Sequence, residues 1–327
     1  MRATKDSWAS PSREIPVIAG PGVARRSKLL SSWAFERRLH RHTCRMTEPR
    51  PADQAALEGL RQDQTGVCWW CGSIADSQEH RHKASVLRRM WGDEGLYLGR
   101  SGEKLYSIRG PNSKAVKFSK ILCRKCNNER SQPFDEAYDV YVNFVQSNAD
   151  ELSRAQSLDW RQVYGGSWQE SARFLGSYAV KNFGCWMAEA GFAPPPEFAA
   201  FLDGDDLVDT RLMLARQESA SLAYRAMALD GGTRFDRGIG VLASHVWIDN
   251  GRTNLIGYES YSYVADICMR VNWAAHAGLG EVFWQSPITP LEIMPASGGQ
   301  RVLAAKIGAR ALGRRASRLL GRGPKRE

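Results

Sequence analysis

The spacing of apolar residues predicts a short helix over 55–61 and a second in ASVLRRMWG, stopped by Gly92. Glycines punctuate the stretch from Gly95 to Gly110, which predicts a hairpin. VKFSKIL alternates as a strand, and NNERSQPFDEAYDVYVNFVQ turns into a helix. Its first turn accommodates Pro133, and Phe134, Tyr138, Tyr141 and Val145 share one apolar face. Further on, WQESARFLGSYAVKNFGCWMAEAGF keeps a helical period until Gly191 and the prolines Pro194 to Pro196. HVWIDNGRTNLIGYESYSYV reads as a β-hairpin around Asn250-Gly251, a dipeptide whose residues both accept positive φ.

These patterns divide the chain into four pieces. Residues 1–50 mix Pro, Gly, Ser and clustered arginines without a period, as expected of a disordered basic arm, and Met46 opens a more regular segment. Residues 51–150 form one domain, and 151–300 an α+β domain whose chemistry is not readable. His245 and His276 there are expected to be structural, and Cys185 and Cys268 to be buried thiols. Residues 301–327 read as a basic amphipathic tail.

Charge changes the picture by where it lies. The net charge is +10, yet residues 1–50 hold 11 Lys and Arg against 4 Asp and Glu, and 301–327 hold 9 against 1. The body between them is therefore acidic, except from Glu79 to Arg130, where 13 basic residues face 5 acidic ones. A phosphate backbone would be drawn to that segment and to the two ends. No apolar run approaches the roughly 20 residues of a membrane span, and no secretory apolar core opens the chain. The cytoplasm is the expected compartment. The 7 cysteines are an odd number, so metal is favoured over a disulfide framework.

Four of these cysteines form two C-x-x-C pairs, Cys68/Cys71 and Cys123/Cys126. Each pair places two thiolates on one knuckle, and two facing knuckles make the tetrahedral sulfur cage that Zn²⁺ prefers. The 51 residues between Cys71 and Cys123 exceed a minimal zinc ribbon, so a substantial insertion is expected. A thioredoxin-like role for CWWC would not need CRKC and would want a βαβ context that is absent.

The residues beside the knuckles suggest the chemistry. Glu79-His80 follows the first pair, and Leu122, Cys123, Cys126, Asn127 and Asn128 run from a strand into a helix. Here the chain resembles the HNH endonucleases of the ββα-metal class, in particular zinc-ribbon-bearing phage and bacterial members. Their pattern is C-x-x-C, an acidic residue followed by His, then L-C-x-x-C-[HN]-N. EHRHKASVLRRMWG and LCRKCNNERSQPFDEAY carry the likeness, which spans about residues 67–138. Three positions depart from it. No asparagine stands on the strand VKFSKIL, where Phe118 is near the expected place and Asn112 in the preceding loop is a candidate substitute; Asn127 replaces the commoner His, and Glu79 the commoner Asp.

The resemblance implies an α+β fold: a small ββα-metal HNH domain with a four-cysteine zinc site, followed by a separate α+β domain. It implies cleavage of phosphodiester bonds in nucleic acid, DNA foremost. His80 would be the general base, and Glu79 and Asn127 would ligate a catalytic Mg²⁺ or Mn²⁺, with Asn128 beside them. Structural zinc would hold the scaffold in register. Lys83, Arg88, Arg89, Lys125 and Arg130 form a candidate phosphate-contacting face. Asp135 is expected to favour its helix N-terminus rather than bind metal. Trp69 and Trp70 could stack on bases or pack around the knuckle, and His82 could contact phosphate or face solvent. The alternative from another class is a zinc-stabilised nucleic-acid-binding module without catalysis.

Overall fold

The computed structural model describes residues 17–19, 54–91, 96–99, 106–108, 110–218, 221–222, 239–249, 251, 253–278 and 280–295, with two-residue helical pieces between 301 and 313. The chain is a mixed α/β protein. Helix α1 (Gln54–Leu60) buries Leu57 and leads into the first cysteine turn. Strand β2 (Ser77–His80) pairs antiparallel with β5 (Lys117–Leu122), setting Ser77 opposite Leu122 and His80 opposite Lys117. After β5 the chain enters a π-helical turn, Lys125–Arg130, and then α3 (Gln132–Ser147). The apolar face expected of α3 is buried, with Phe134, Tyr138, Tyr141 and Val145 all inside.

The insertion between the knuckles has its own elements. Helix α2 (Ala84–Trp91) ends one residue before Gly92, and β3 (Leu96–Gly99) pairs antiparallel with β4 (Tyr106–Ile108) as the glycine punctuation predicts. That hairpin joins a larger sheet through β1 (Val17–Ala19), which lies between β3 and β8 (Ile239–Ile248). Three residues of the expected disordered arm are thus a strand. The other strands are β7 (Thr210–Gln217), β9 (Leu255–Val264), β10 (Ile267–Ala274), β11 (Glu281–Val282) and β13 (Glu292–Met294). Their order is β11-β7-β10-β9-β8-β1-β3-β4, with β13 added to β7. A small antiparallel pair, β6 (Ser157–Asp159) with β12 (Ile288–Pro290), lies apart.

Four short or long helices complete the fold: α4 (Ala149–Leu152), α5 (Trp160–Tyr164), α6 (Trp168–Glu189) and α7 (Pro196–Leu202). Helix α6 is the hub. It stacks Tyr178 on Tyr138 of α3 at 3.9 Å, meets Phe118 of β5 edge-on through Trp186 at 4.9 Å, and sets Phe183 against Tyr258 of β9 at 5.1 Å. Apolar packing of this density explains why one core runs across residue 150 without a break. Gly191, at φ +86°, ends the helix in the left-handed region that glycine accepts.

Some local expectations take a different form. The β8–β9 hairpin forms, but its strands stop at Ile248 and resume at Leu255, so the connection is longer than a two-residue Asn-Gly turn. Asp249 organises it by accepting from the backbone N–H of Thr253 at 2.7 Å and of Asn254 at 3.2 Å. His245 is exposed, 3.5 Å from Glu259, and the backbone N–H of His276 donates to Asp209. Cys185 and Cys268 are buried, as expected. Most of 1–50 and 301–327 lies outside the described residues, and with it the amphipathic tail. Among the described residues no helix is long and apolar enough to cross a membrane.

Candidate functional site

The two C-x-x-C pairs meet. The first is a tight turn bracketed by a bridge between Val67 and Ile74, closed by Cys68 N–H donating to Ser73 O at 2.7 Å and Gly72 N–H to Cys68 O at 2.8 Å. Gly72 sits at φ +74°, a conformation a side chain would strain. The second pair straddles the exit of β5 and the first turn of the following helix, where Asn127 N–H donates to Cys123 O at 2.9 Å. The sulfurs of Cys68, Cys71, Cys123 and Cys126 all lie within 4.8 Å of one another, with Cys71 and Cys123 at 3.6 Å. Tetrahedral zinc with bonds of about 2.3 Å separates its sulfurs by about 3.8 Å, so the four thiols fit a zinc ion in number, chemistry and spacing.

Their electrostatics point the same way. Burial pushes the Cys68 thiol up, against backbone N–H groups of Cys123, Cys71 and Trp70 that stabilise its thiolate. Burial also raises Cys71, but hydrogen bonds from the Ser73 side chain and backbone and from Cys126 and Cys123 outweigh it and hold that thiol at about 6. Cys126 is pushed far up by burial and by its crowded sulfur neighbours. A divalent cation relieves that crowding by ionising all four. Arg130 donates to the Cys126 sulfur at 3.5 Å, lies 4.3 Å over the Trp70 ring, and is ion-paired with Asp203, which also accepts the Trp70 indole N–H at 2.7 Å. Trp69 donates to the Cys185 sulfur at 3.5 Å and packs against Gly184 of α6. Both tryptophans therefore pack around the knuckle.

His80 ends β2. Its Nε2 is buried and has no hydrogen-bond partner. A neutral ring whose hydrogen sits on Nδ1 has the Nε2 lone pair available to accept a proton. Burial, then the charges of Lys117 and Arg88, lowers the His80 pKa to about 4. The imidazole is accordingly neutral at neutral pH. Lys117 is its cross-strand neighbour. A bound phosphate would offset both cations and strengthen the base. Neither residue considered for the missing asparagine is placed to orient the ring: Phe118 is fully buried against Trp186, and Asn112 is exposed.

Asn127 is buried, its amide N–H₂ donates to Ser77 Oγ at 2.9 Å, and its Oδ1 has no donor. Glu79 is only 9% exposed and lies two residues from Ser77 in β2, across a stretch where the pairing with β5 is irregular. Its carboxylate is 3.3 Å from Nζ of Lys181, a fully buried lysine of α6. Lys181 also reaches Asp135 at 3.0 Å and donates to Ser131 Oγ at 3.2 Å, and Ser131 in turn donates to Asn127 O at 2.7 Å. Burial pushes Glu79 up, against the pull of Lys181; burial would lower Lys181, but Glu79 and Asp135 outweigh it and keep the ammonium charged. In donor chemistry the Glu79 carboxylate and the orphaned Asn127 oxygen fit a hard divalent cation. Asn128 points outward and is exposed.

The basic residues of the insertion divide into two groups. Arg88, Arg89 and Lys125 are exposed. Lys83 is occupied, donating to Asp139 and to the Asp135 carbonyl, each at 2.6 Å. Arg130 is taken up by the knuckle. Arg81 and His82 are buried: Arg81 pairs with Glu189 at 2.8 Å between the rings of Phe118 and Trp186. Sequence reasoning missed Lys181, Ser131 and Lys117. The signal for Lys181 was present, a lone lysine in the apolar run GSYAVKNFGCWM. No family model, curated protein or solved structure matches this chain.

Proposed function

We propose that the chain is an HNH-type endonuclease that hydrolyses phosphodiester bonds in nucleic acid, DNA before RNA, with His80 as general base. The supporting observation is the state of His80, a neutral imidazole with a buried, unpartnered Nε2, flanked by Lys117 and Arg88. In the tautomer that carries its hydrogen on Nδ1, Nε2 takes the proton of an attacking water. Arg88, Arg89, Lys117 and Lys125 bind the phosphate backbone without reading sequence. Zinc on the four cysteines holds β2, β5 and the helix together. Glu79 and Asn127 would hold a divalent ion, Mg²⁺ or Mn²⁺, whose charge stabilises the phosphate and the leaving oxygen.

A second reading, a zinc-stabilised nucleic-acid-binding module without catalysis, is favoured by the burial of Glu79 against Lys181. Incubating the zinc-loaded protein with supercoiled plasmid, single-stranded DNA and RNA in Mg²⁺, Mn²⁺ and EDTA separates the two. Nicking or linearisation that requires the added metal supports the nuclease. Binding to every substrate with none cut in any metal supports the module.

A further inference from the structure

We infer that the ammonium of Lys181 occupies the cation position of the Glu79 site, so that a divalent ion reaches Glu79 and Asn127 only by displacing it. The inference rests on the nuclease reading for the identity of the two ligands, and on contacts alone for the rest. The ammonium of Lys181 lies among three oxygens: it donates to Asp135 at 3.0 Å and Ser131 at 3.2 Å and is ion-paired with Glu79 at 3.3 Å. Such a set, two carboxylates and a hydroxyl, is what a hard cation selects. The side chain is wholly inside the protein, reaching from α6 toward the opening turns of the zinc-bearing helix. Beside it, Asn127 keeps one acceptor oxygen without a donor. The protein therefore carries its own cation at the place where the added one is needed, delivered by a helix outside the cysteine-bearing segment.

Metal loading is then an exchange. A divalent ion at Glu79 beside a charged Lys181 meets repulsion in a site from which water is largely excluded, so the ammonium must leave its three oxygens. The helix that carries Lys181 also packs on β5, the large sheet and the first knuckle. A shift of α6 therefore sets how readily the site accepts metal.

The test uses zinc-loaded protein and Mn²⁺ alone as probe, with binding followed by electron paramagnetic resonance. Lys181→Met should bind Mn²⁺ at least about tenfold more tightly than wild type, and Glu79→Gln should abolish the gain. Equal Mn²⁺ affinity in wild type and Lys181→Met overturns the exchange, as does the absence of binding in both. A second readout on wild type covers failure of the variant to fold: acylation of Lys181 by an amine-reactive ester, read by mass spectrometry. Labelling should rise on saturation with Mn²⁺, and unchanged labelling at saturation overturns the inference. Neither readout needs cleavage. A protein that exchanges Lys181 for Mn²⁺ yet cuts nothing refutes the nuclease reading alone, and one that cuts with Lys181 undisturbed refutes the exchange alone.

Discussion

Gly184 of α6 holds the helix against the first cysteine knuckle, and replacing it with alanine tests that joint. A Cβ there would lie 2.6 Å, 2.7 Å and 3.0 Å from three ring atoms of Trp69. Carbon atoms rest at about 3.5–4.0 Å, so the overlap is about 1 Å. Two effects oppose each other: alanine in a helix interior is worth about 0.5–1 kcal/mol over glycine, whereas overpacking costs about 1–3 kcal/mol. The clash wins, with a net loss of about 1–2 kcal/mol, because the indole cannot swing away freely. Its N–H donates to Cys185, and its backbone neighbour is Cys68 of the four-cysteine cluster. Gly184→Ala should therefore lower the denaturant midpoint and speed zinc release to a chelating dye. Gly59→Ala in α1 is the control, since nothing lies within 4 Å of its Cβ position, and it should be neutral or stabilising by up to about 1 kcal/mol. Gly184→Ala that is as stable as wild type with unchanged zinc release would refute the joint.

Two further outcomes follow from the site and its surroundings. The purified protein should carry about one zinc per chain, and Cys126→Ser should lower that content and the melting temperature together; metal analysis showing zinc unchanged in the variant would exclude the four-cysteine cage. Fully buried His82, lowered to about 4 by burial and then by Arg81, shares a cavity with Tyr138, Tyr178 and Asn182. Its folded pKa lies below the unfolded value of about 6.5, so the unfolded chain binds the extra proton between those values, and stability is complete above about 6.5 and falls on acidification. The loss attributable to His82 is about 2 kcal/mol between pH 6.5 and 5. Urea titrations of wild type and His82→Gln should show a shallower pH slope in the variant, and identical slopes would contradict the assignment.

The short-range parts of the fold were legible because their causes are local. Glycines bound the β3–β4 hairpin, a 3.6-residue period marks α3 and α6, and paired C-x-x-C spacings bring the four sulfurs together. What escaped depends on contacts made far along the chain. Lys181 finds Glu79 102 positions earlier, and Lys83 and Arg130 look like free surface charges until Asp139 and Asp203 engage them. Lys117 is an ordinary strand residue until the register of β2 and β5 sets it opposite His80. Strand β1 is three residues long, too short for any period, and exists because β3 and β8 flank it.

The most direct test of the central claim is the single-turnover cleavage rate of end-labelled DNA by zinc-loaded wild type and His80→Ala in saturating Mn²⁺, with filter binding measured on the same samples. Loss of a general base predicts a fall of about 100-fold or more in rate while affinity changes by no more than about twofold. Equal cleavage by both proteins, or none by either while both bind, would contradict the assignment of His80 as the base of a nuclease.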